Sequence, residues 1–237
     1  MFWGETPIGR PAADTLVRLA RSGEALGFVR QGRGWRLPEC DRTFLEAFFE
    51  GPVRALFPER TPTREKLPLY APDRPAVLLA LVDRSLFRPF GLATTCVRLW
   101  IEEETPEGPV YRWGQRSVRK RIGPGLWDSP AAGLLRGEES IRDALLRETA
   151  EETGLDLTEE ILTAGPVYTL ERDVAEGVLR ETTHNFVWRP TEPPLLRLID
   201  GEVARFAGFR RSDIERLHAE HRLFADAALG FFRTFGA

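Results

Sequence analysis

The stretch GLLRGEESIRDALLRETAEETGL, Gly133 to Leu155, crowds Glu148, Glu151 and Glu152 into little more than one helical turn, with Arg147 beside them. Neighbouring carboxylates on a helix lie roughly 5–6 Å apart. At an effective dielectric near ~20, each such pair repels by about 3 kcal/mol. A surface ion pair with Arg147 returns only about 0.3–0.5 kcal/mol. A hard divalent cation compensates far better, because Mg²⁺ is held by carboxylate oxygens and completes its shell with water and substrate phosphates. A Glu-rich helix usually presents a solvated face, so placement decides between the two. Ser140 and Asp143 have the spacing of a capping box, which starts the helix at Ser140. At about 100° per residue, Ile141, Ala144, Leu145, Glu148 and Glu152 share one stripe, with Glu151 at its edge beside Ala144. The carboxylates therefore fall on the apolar, inward face, and the helix reads as a metal platform.

The rest of the chain must position that helix. Its 237 residues are enough for one large domain or two small ones with a proper core. A net charge of −3 lacks the basic excess of a nucleic-acid-coating surface. The N-terminus, MFWGETPIGRPAADTL, has no signal-peptide pattern, and no run approaches the ~18 apolar residues of a membrane span. Cys40 and Cys96 lack metal-ligand spacing and read as buried, inert thiols of a reducing cytoplasm. Only Lys66 and Lys120 of the 33 basic residues are lysines, a bias that base composition explains and that carries no function.

Two parts are expected, residues 1–90 as a small N-terminal α+β domain and 91–237 as the domain that carries the acidic helix. In the first, PAADTLVRLARSG reads as a helix ending near Gly23, and ALGFVRQG as a strand into a turn. RTFLEAFFEGPVRALF has helical spacing interrupted at Gly51-Pro52. TPTREKLPLYAPDRP reads as an irregular connector, and PAVLLALVDRSLF as an apolar helix closed by Arg88-Pro89. In the second, strands are expected at TTCVRLWIEE, PVYRWGQRSV and GLWDSPA. The acidic helix follows, then strands at GPVYTLERD, VLRETTHNFVW and VARFAGF, then helices at RRSDIERLHAE and FADAALGFFRTF. Strands and helices mixed in this way indicate an α+β layered fold.

The spacing of the acidic stretch resembles the Nudix box: Gly, five residues, Glu, seven residues, Arg-Glu, apolar, any, Glu-Glu, any, Gly, apolar. Gly133, Glu139, Arg147, Glu148, Glu151, Glu152, Gly154 and Leu155 stand in register, and Thr149 replaces the usual aliphatic residue. Seven fixed letters at roughly one in fifteen each coincide by chance on the order of once in a million chains. The resemblance implies a Nudix-type α/β/α sandwich with a mixed sheet and the hydrolysis of a diphosphate linked to a group X. It implies Mg²⁺ or Mn²⁺ on Glu148, Glu151 and Glu152, helped by the Gly133 carbonyl. Arg147 would pin a ligand carboxylate, Glu139 would act near the helix start, and Glu148 or Glu202 would be the general base.

Further residues resemble the Nudix proteins related to thiamine pyrophosphokinase, in which an N-terminal α+β domain precedes the catalytic one. These are Arg116, Ser117, Lys120, Pro124, Gly125, Asp128 and Gly133, and later Asp200, Gly201, Glu202, Val203 and Phe206. The implied substrate is thiamine diphosphate or an oxidised analogue, cleaved to the monophosphate, with Arg116, Lys120 and Asp128 on the substrate. Three departures stand against that subgroup: Thr95-Cys96 replaces its Asn-Gly pair, Ala132 replaces the first Gly of another pair, and LFADAALGFF lacks its Lys-Pro-Asn motif. ADP-ribose, nucleotide sugars and modified nucleotides are the alternative small-molecule diphosphates. A non-catalytic binding module is the remaining alternative, although such modules typically lose box glutamates that this chain keeps. Residues 1–90 are expected either to close over the substrate or to build a homodimer.

Other candidates have ordinary explanations. Arg116 and Lys120 could instead belong to a solvated basic turn with Arg112, Arg119 and Arg121. The GPG at 123–125 is a turn, since it lacks the P-loop's spacing and its Lys-Ser/Thr. Trp127 and Trp188 are expected in core packing rather than stacked on a substrate ring. His184 is expected to be structural, and His218 and His221 to lie on the surface.

Overall fold

The computed structural model describes every residue except Gly4, Pro38, Glu39, Pro72, Asp73, Glu159, Glu160, Asp200 and Ala237. The chain is α+β, with mixed sheets. It divides into two compact units: Met1–Thr95 with Leu134–Glu139 and Thr169–Thr182, and Cys96–Gly133 with Ser140–Tyr168 and Thr183–Ala237.

In the first unit, β1 (Phe2–Trp3), β2 (Thr6–Pro7), β3 (Val29–Gln31) and β4 (Gly34–Arg36) form a small sheet in the order β2-β1-β4-β3. Helix α1 (Ala13–Ser22) ends where the sequence placed it. Helix α2 (Arg42–Phe48) starts at Asp41, whose side chain accepts the Phe44 N–H at 2.9 Å. The expected break at Gly51-Pro52 is instead a wider turn. Residues Phe49–Val53 are π-helical with Pro52 inside, which accommodates a residue that has no N–H to donate. An aromatic core of Phe28, Phe48, Phe49, Phe57 and Phe90 fills this unit, with Phe28 and Phe48 edge to face at 5.1 Å.

The largest correction concerns residues 64–83. The expected irregular connector and apolar helix form an antiparallel hairpin, β5 (Lys66–Ala71) and β6 (Arg74–Asp83), in the register Leu67↔Val82 and Leu69↔Ala80. The run VLLALV is apolar all round, so its period fits either state. Pairing decides: Leu67, Leu69, Ala80 and Val82 are all buried, and Glu46 of α2 accepts the Leu81 N–H at 2.9 Å. The short helix α3 (Phe87–Phe90) follows. Cys40 is a second correction: it is only half-buried, while Cys96 is buried as expected.

A seven-stranded sheet has the order β11-β12-β7-β8-β13, from β7 (Ala93–Glu103), β8 (Val110–Arg116), β11 (Leu162–Val174), β12 (Gly177–Trp188) and β13 (Val203–Phe209). Two short strands join it: β9 (Trp127–Asp128) on β8, and β10 (Ala131–Leu134), which the sequence did not reveal, on β7. Helices α4 (Ile141–Thr153), α5 (Arg211–Ala219) and α6 (Ala225–Phe235) complete the chain. The second unit's core is an aromatic cluster in which Trp100 and Trp113 lie 5.2 Å apart and Phe231 meets Tyr111 at 4.9 Å. Trp127 belongs to that core, edge to face with Phe209, as expected. Among the described residues, no helix is long and apolar enough to cross a membrane.

Candidate active site

Helix α4 carries the acidic cluster in the orientation its periodicity indicates. The Ser140–Asp143 capping box closes in both directions, and Gly154 ends the helix in the left-handed conformation that glycine tolerates. Ala144 and Leu145 are buried with Glu148 (5% exposed) and Glu152 (9% exposed), whereas Glu151 is half-exposed. Thr149, in the aliphatic position of the box, is buried as well.

Strand β10 supplies the other wall. The Ala132 N–H donates to Glu152 Oε2 at 2.9 Å. Any residue but proline offers that donor, so alanine serves where the subgroup has glycine. At the next residue, Gly133, a methyl group would stand 2.0 Å from the Glu148 carboxyl carbon, so a larger residue would displace that carboxylate. Arg147 Nη1 reaches Glu148 Oε1 at 2.5 Å and Glu151 Oε2 at 3.3 Å. It therefore bridges two carboxylates. Glu139 accepts the Arg136 N–H at 2.6 Å, just ahead of the helix.

Five of the expected site residues line one small cleft. Arg116, Lys120, Asp128, Glu152 and Glu202 surround about 30 Å³ together with Gly114, Ser129, Ala132 and Val203. The register of β8 with β13 brings the two loops together: Val203 pairs with Arg116, and the Ser117 N–H donates to the Glu202 carbonyl at 2.8 Å. Lys120 Nζ makes an ion pair with the half-exposed Glu202 carboxylate. Asp200, the first residue of the second matched stretch, lies outside the described residues.

The sequence reading missed Arg98, one arginine between Val97 and Leu99 in the middle of β7. It is 3% exposed and donates from Nη1 to Asp128 Oδ1 at 2.6 Å and to Ser129 Oγ at 2.9 Å. Asp128 Oδ2 accepts from Arg116 Nη1, also at 2.6 Å. Burial alone would raise the Asp128 pKa, but the two arginines outweigh it and hold the carboxyl below its ordinary value. Glu152 behaves in the opposite way. Burial, reinforced by Glu148 and Asp128, pushes its pKa up to about 8, against the pull of the Ala132 N–H and Lys120.

Among the described residues, no three His, Cys, Asp or Glu side chains are gathered as a ready metal cage. The donor chemistry nevertheless fits a hard cation. Two buried carboxylates one helical turn apart lie against the backbone of residues 132–133, and the charge on Glu152 is penalised where it stands. Mg²⁺ characteristically takes one or two carboxylates and leaves its remaining positions to water and substrate phosphate. His184 is half-buried, and burial lowers its pKa. His218 and His221 are exposed, as expected.

The NUDIX domain family matches residues 97–228. The chain belongs to that family, and it is a Nudix-type hydrolase that keeps every glutamate of the box. One solved structure agrees on the fold, and two more are similar over part of the chain. The DR0079 protein of Deinococcus radiodurans aligns with 72% of this chain and 99% of its own, at 16% identity and a TM-score of 0.53. The NUDIX domain of Shewanella oneidensis NrtR, in complex with ADP ribose, aligns with 54% of this chain and 79% of its own, at 17% identity and a TM-score of 0.45. A bifunctional NMN adenylyltransferase/ADP ribose pyrophosphatase of Francisella tularensis, complexed with AMP and Mn ion, aligns with 60% of this chain and 41% of its own, at 22% identity and a TM-score of 0.47. No curated protein matches the chain.

Proposed function

We propose that this chain hydrolyses the diphosphate of a small molecule with Mg²⁺ or Mn²⁺, and that thiamine diphosphate or an oxidised analogue is converted to its monophosphate. One observation carries the reading: Arg116, Lys120, Asp128 and Glu202, from two distant stretches that resemble the thiamine pyrophosphokinase-related group, line the same cleft as Glu152. We assign this chemistry to residues 91–237 and treat residues 1–90 as a separate N-terminal α+β domain, in a cytoplasmic enzyme that needs neither nucleic acid nor a membrane.

In this reading Glu148 and Glu152 hold the cation, with Glu151 and the Gly133 carbonyl as further oxygen donors. A cation held there would neutralise phosphate charge and make water a better nucleophile. Arg147 donates to Glu148 and fixes its direction. Lys120 meets the phosphate oxygens as a point charge and Arg116 as a fork. Glu202, half-exposed at the cleft, takes the proton as the water oxygen joins phosphorus. The bridging P–O bond breaks, and inorganic phosphate leaves. Glu148 is the less suitable base, because it already serves Arg147 in a buried position.

The test is a product assay with Mg²⁺ or Mn²⁺ on thiamine diphosphate, its oxidised analogues, ADP-ribose, nucleotide sugars and nucleoside triphosphates. Release of a thiamine-type monophosphate, abolished by a chelator, is expected. Cleavage of ADP-ribose or nucleotides instead would keep the chemistry and overturn the substrate. Failure on the whole panel would overturn the hydrolytic reading for these diphosphates.

A further inference from the structure

We infer that Arg98 is a positioning residue for the diphosphate site: it neutralises Asp128 from within the core, so that Asp128 anchors Arg116 at the cleft without presenting a net negative charge to phosphate. The inference rests on the hydrolase reading above and deepens it.

The arrangement is a chain of three charges. Arg98 lies mid-strand in β7, buried, and its Nη1 is shared between Asp128 Oδ1 and Ser129 Oγ. The Ser129 N–H also donates to Asp128 Oδ1 at 2.8 Å, so that oxygen is fully engaged on the inner side. The other oxygen, Oδ2, is given to Arg116. Here the carboxylate is split, one oxygen inward and one toward the cleft.

Arg116 is then fixed on its remaining sides. Its Nε and Nη2 donate to the Ile122 carbonyl at 3.1 and 2.9 Å, and its guanidinium lies 4.5 Å from the centre of the Phe224 ring. Those bonds and the one to Asp128 use three of a guanidinium's five N–H groups. One N–H on each terminal nitrogen is left for a ligand in a cleft that also holds Lys120. Asp128 and Arg116 alone are neutral, and Arg98 restores a net positive charge beneath them. Arg98 and Asp128 are buried and Arg116 is partly exposed, so the charge contributed by Arg98 is only weakly screened by solvent.

The experiment measures binding of inorganic pyrophosphate by calorimetry, together with KM and kcat on whichever panel diphosphate is cleaved. Arg98→Gln is expected to weaken pyrophosphate binding and raise KM by about tenfold, the scale of one lost charge-assisted contact. Turnover at saturation should stay within about twofold, since the reacting groups are untouched. Adding Asp128→Asn to Arg98→Gln returns the group from neutral to net positive and is expected to restore pyrophosphate affinity. A structural role alone would leave the double variant no better than the single one, and that result overturns the inference, as does a loss confined to kcat. If Arg98→Gln does not fold, Arg98→Lys takes its place: it keeps the charge, and a tenfold loss of affinity in that folded variant overturns the charge argument. A wild-type chain that cleaves nothing would sink the hydrolase reading, while the pyrophosphate titrations still decide the role of Arg98.

Discussion

The Cα of Gly133 lies directly against the Glu148 carboxylate, so that a methyl group there would stand 2.0 Å from the carboxyl carbon and 2.1 and 2.4 Å from its oxygens. The obstructing atoms are the end of a flexible side chain, not backbone. The side chain can therefore swing away, at the cost of its 2.5 Å contact with Arg147. Gly133→Ala should thus spare the fold and displace the carboxylate. We expect turnover to fall by about 10²-fold, the scale of an ångström-level misplacement. The melting temperature should move by no more than about 2–4 °C, which is ~1 kcal/mol for a chain of this size. A folded Gly133→Ala protein with normal turnover would remove Glu148 from the reacting centre.

Glu152 gives the protein a pH signature. Its folded pKa is raised from 4.5 to about 8, chiefly by burial. Below the unfolded value both states are protonated. Between the two values the native state keeps a proton that the unfolded chain has released, so stability declines as pH rises, and the full penalty is present above the folded value. The metal-free protein should therefore melt lower at about pH 9 than at about pH 5, other groups being equal. Glu152→Gln removes this titration and should melt higher than the wild type at the alkaline end while losing metal-dependent hydrolysis. Mg²⁺ should stabilise the wild type most where the carboxylate is ionised. Parallel melting curves for the two proteins across that range would show that Glu152 does not bury a charge.

The acidic helix was legible because its signal is local. A capping box, a glycine stop and a stripe at helical spacing fix both the boundaries of α4 and the face on which Glu148 and Glu152 fall. The cleft was legible only through the resemblance that links residues 116–128 with 201–203, since no local rule announces that β8 and β13 pair. Arg98 escaped because its role is defined by Asp128, thirty residues away. The hairpin β5–β6 escaped for a different reason. VLLALV is apolar on every face, so its sequence period holds no information about helix or strand, and pairing with β5 settles it. Strand β10 is short and rich in small residues, yet it supplies both the Ala132 N–H and the bare Cα of Gly133 that shape the site.

Lys120 and Glu202 make the sharpest division of labour, because they touch each other and are assigned opposite tasks. If Lys120 meets phosphate charge in substrate and transition state alike, as proposed, Lys120→Met should raise KM more than it lowers kcat. Glu202 is 48% exposed, which leaves its carboxylate within reach of water as well as of Lys120. As the base, Glu202→Gln should cost about 10²–10⁴-fold in kcat and remove the acidic limb of the pH–rate profile. If Glu202 only holds Lys120 in place, the two single variants and the double variant would share one phenotype, a raised KM with the acidic limb intact. Steady-state kinetics of the three variants from acidic to neutral pH separates these cases. The outcome that defeats the base assignment is a Glu202→Gln protein whose kcat and pH profile match the wild type.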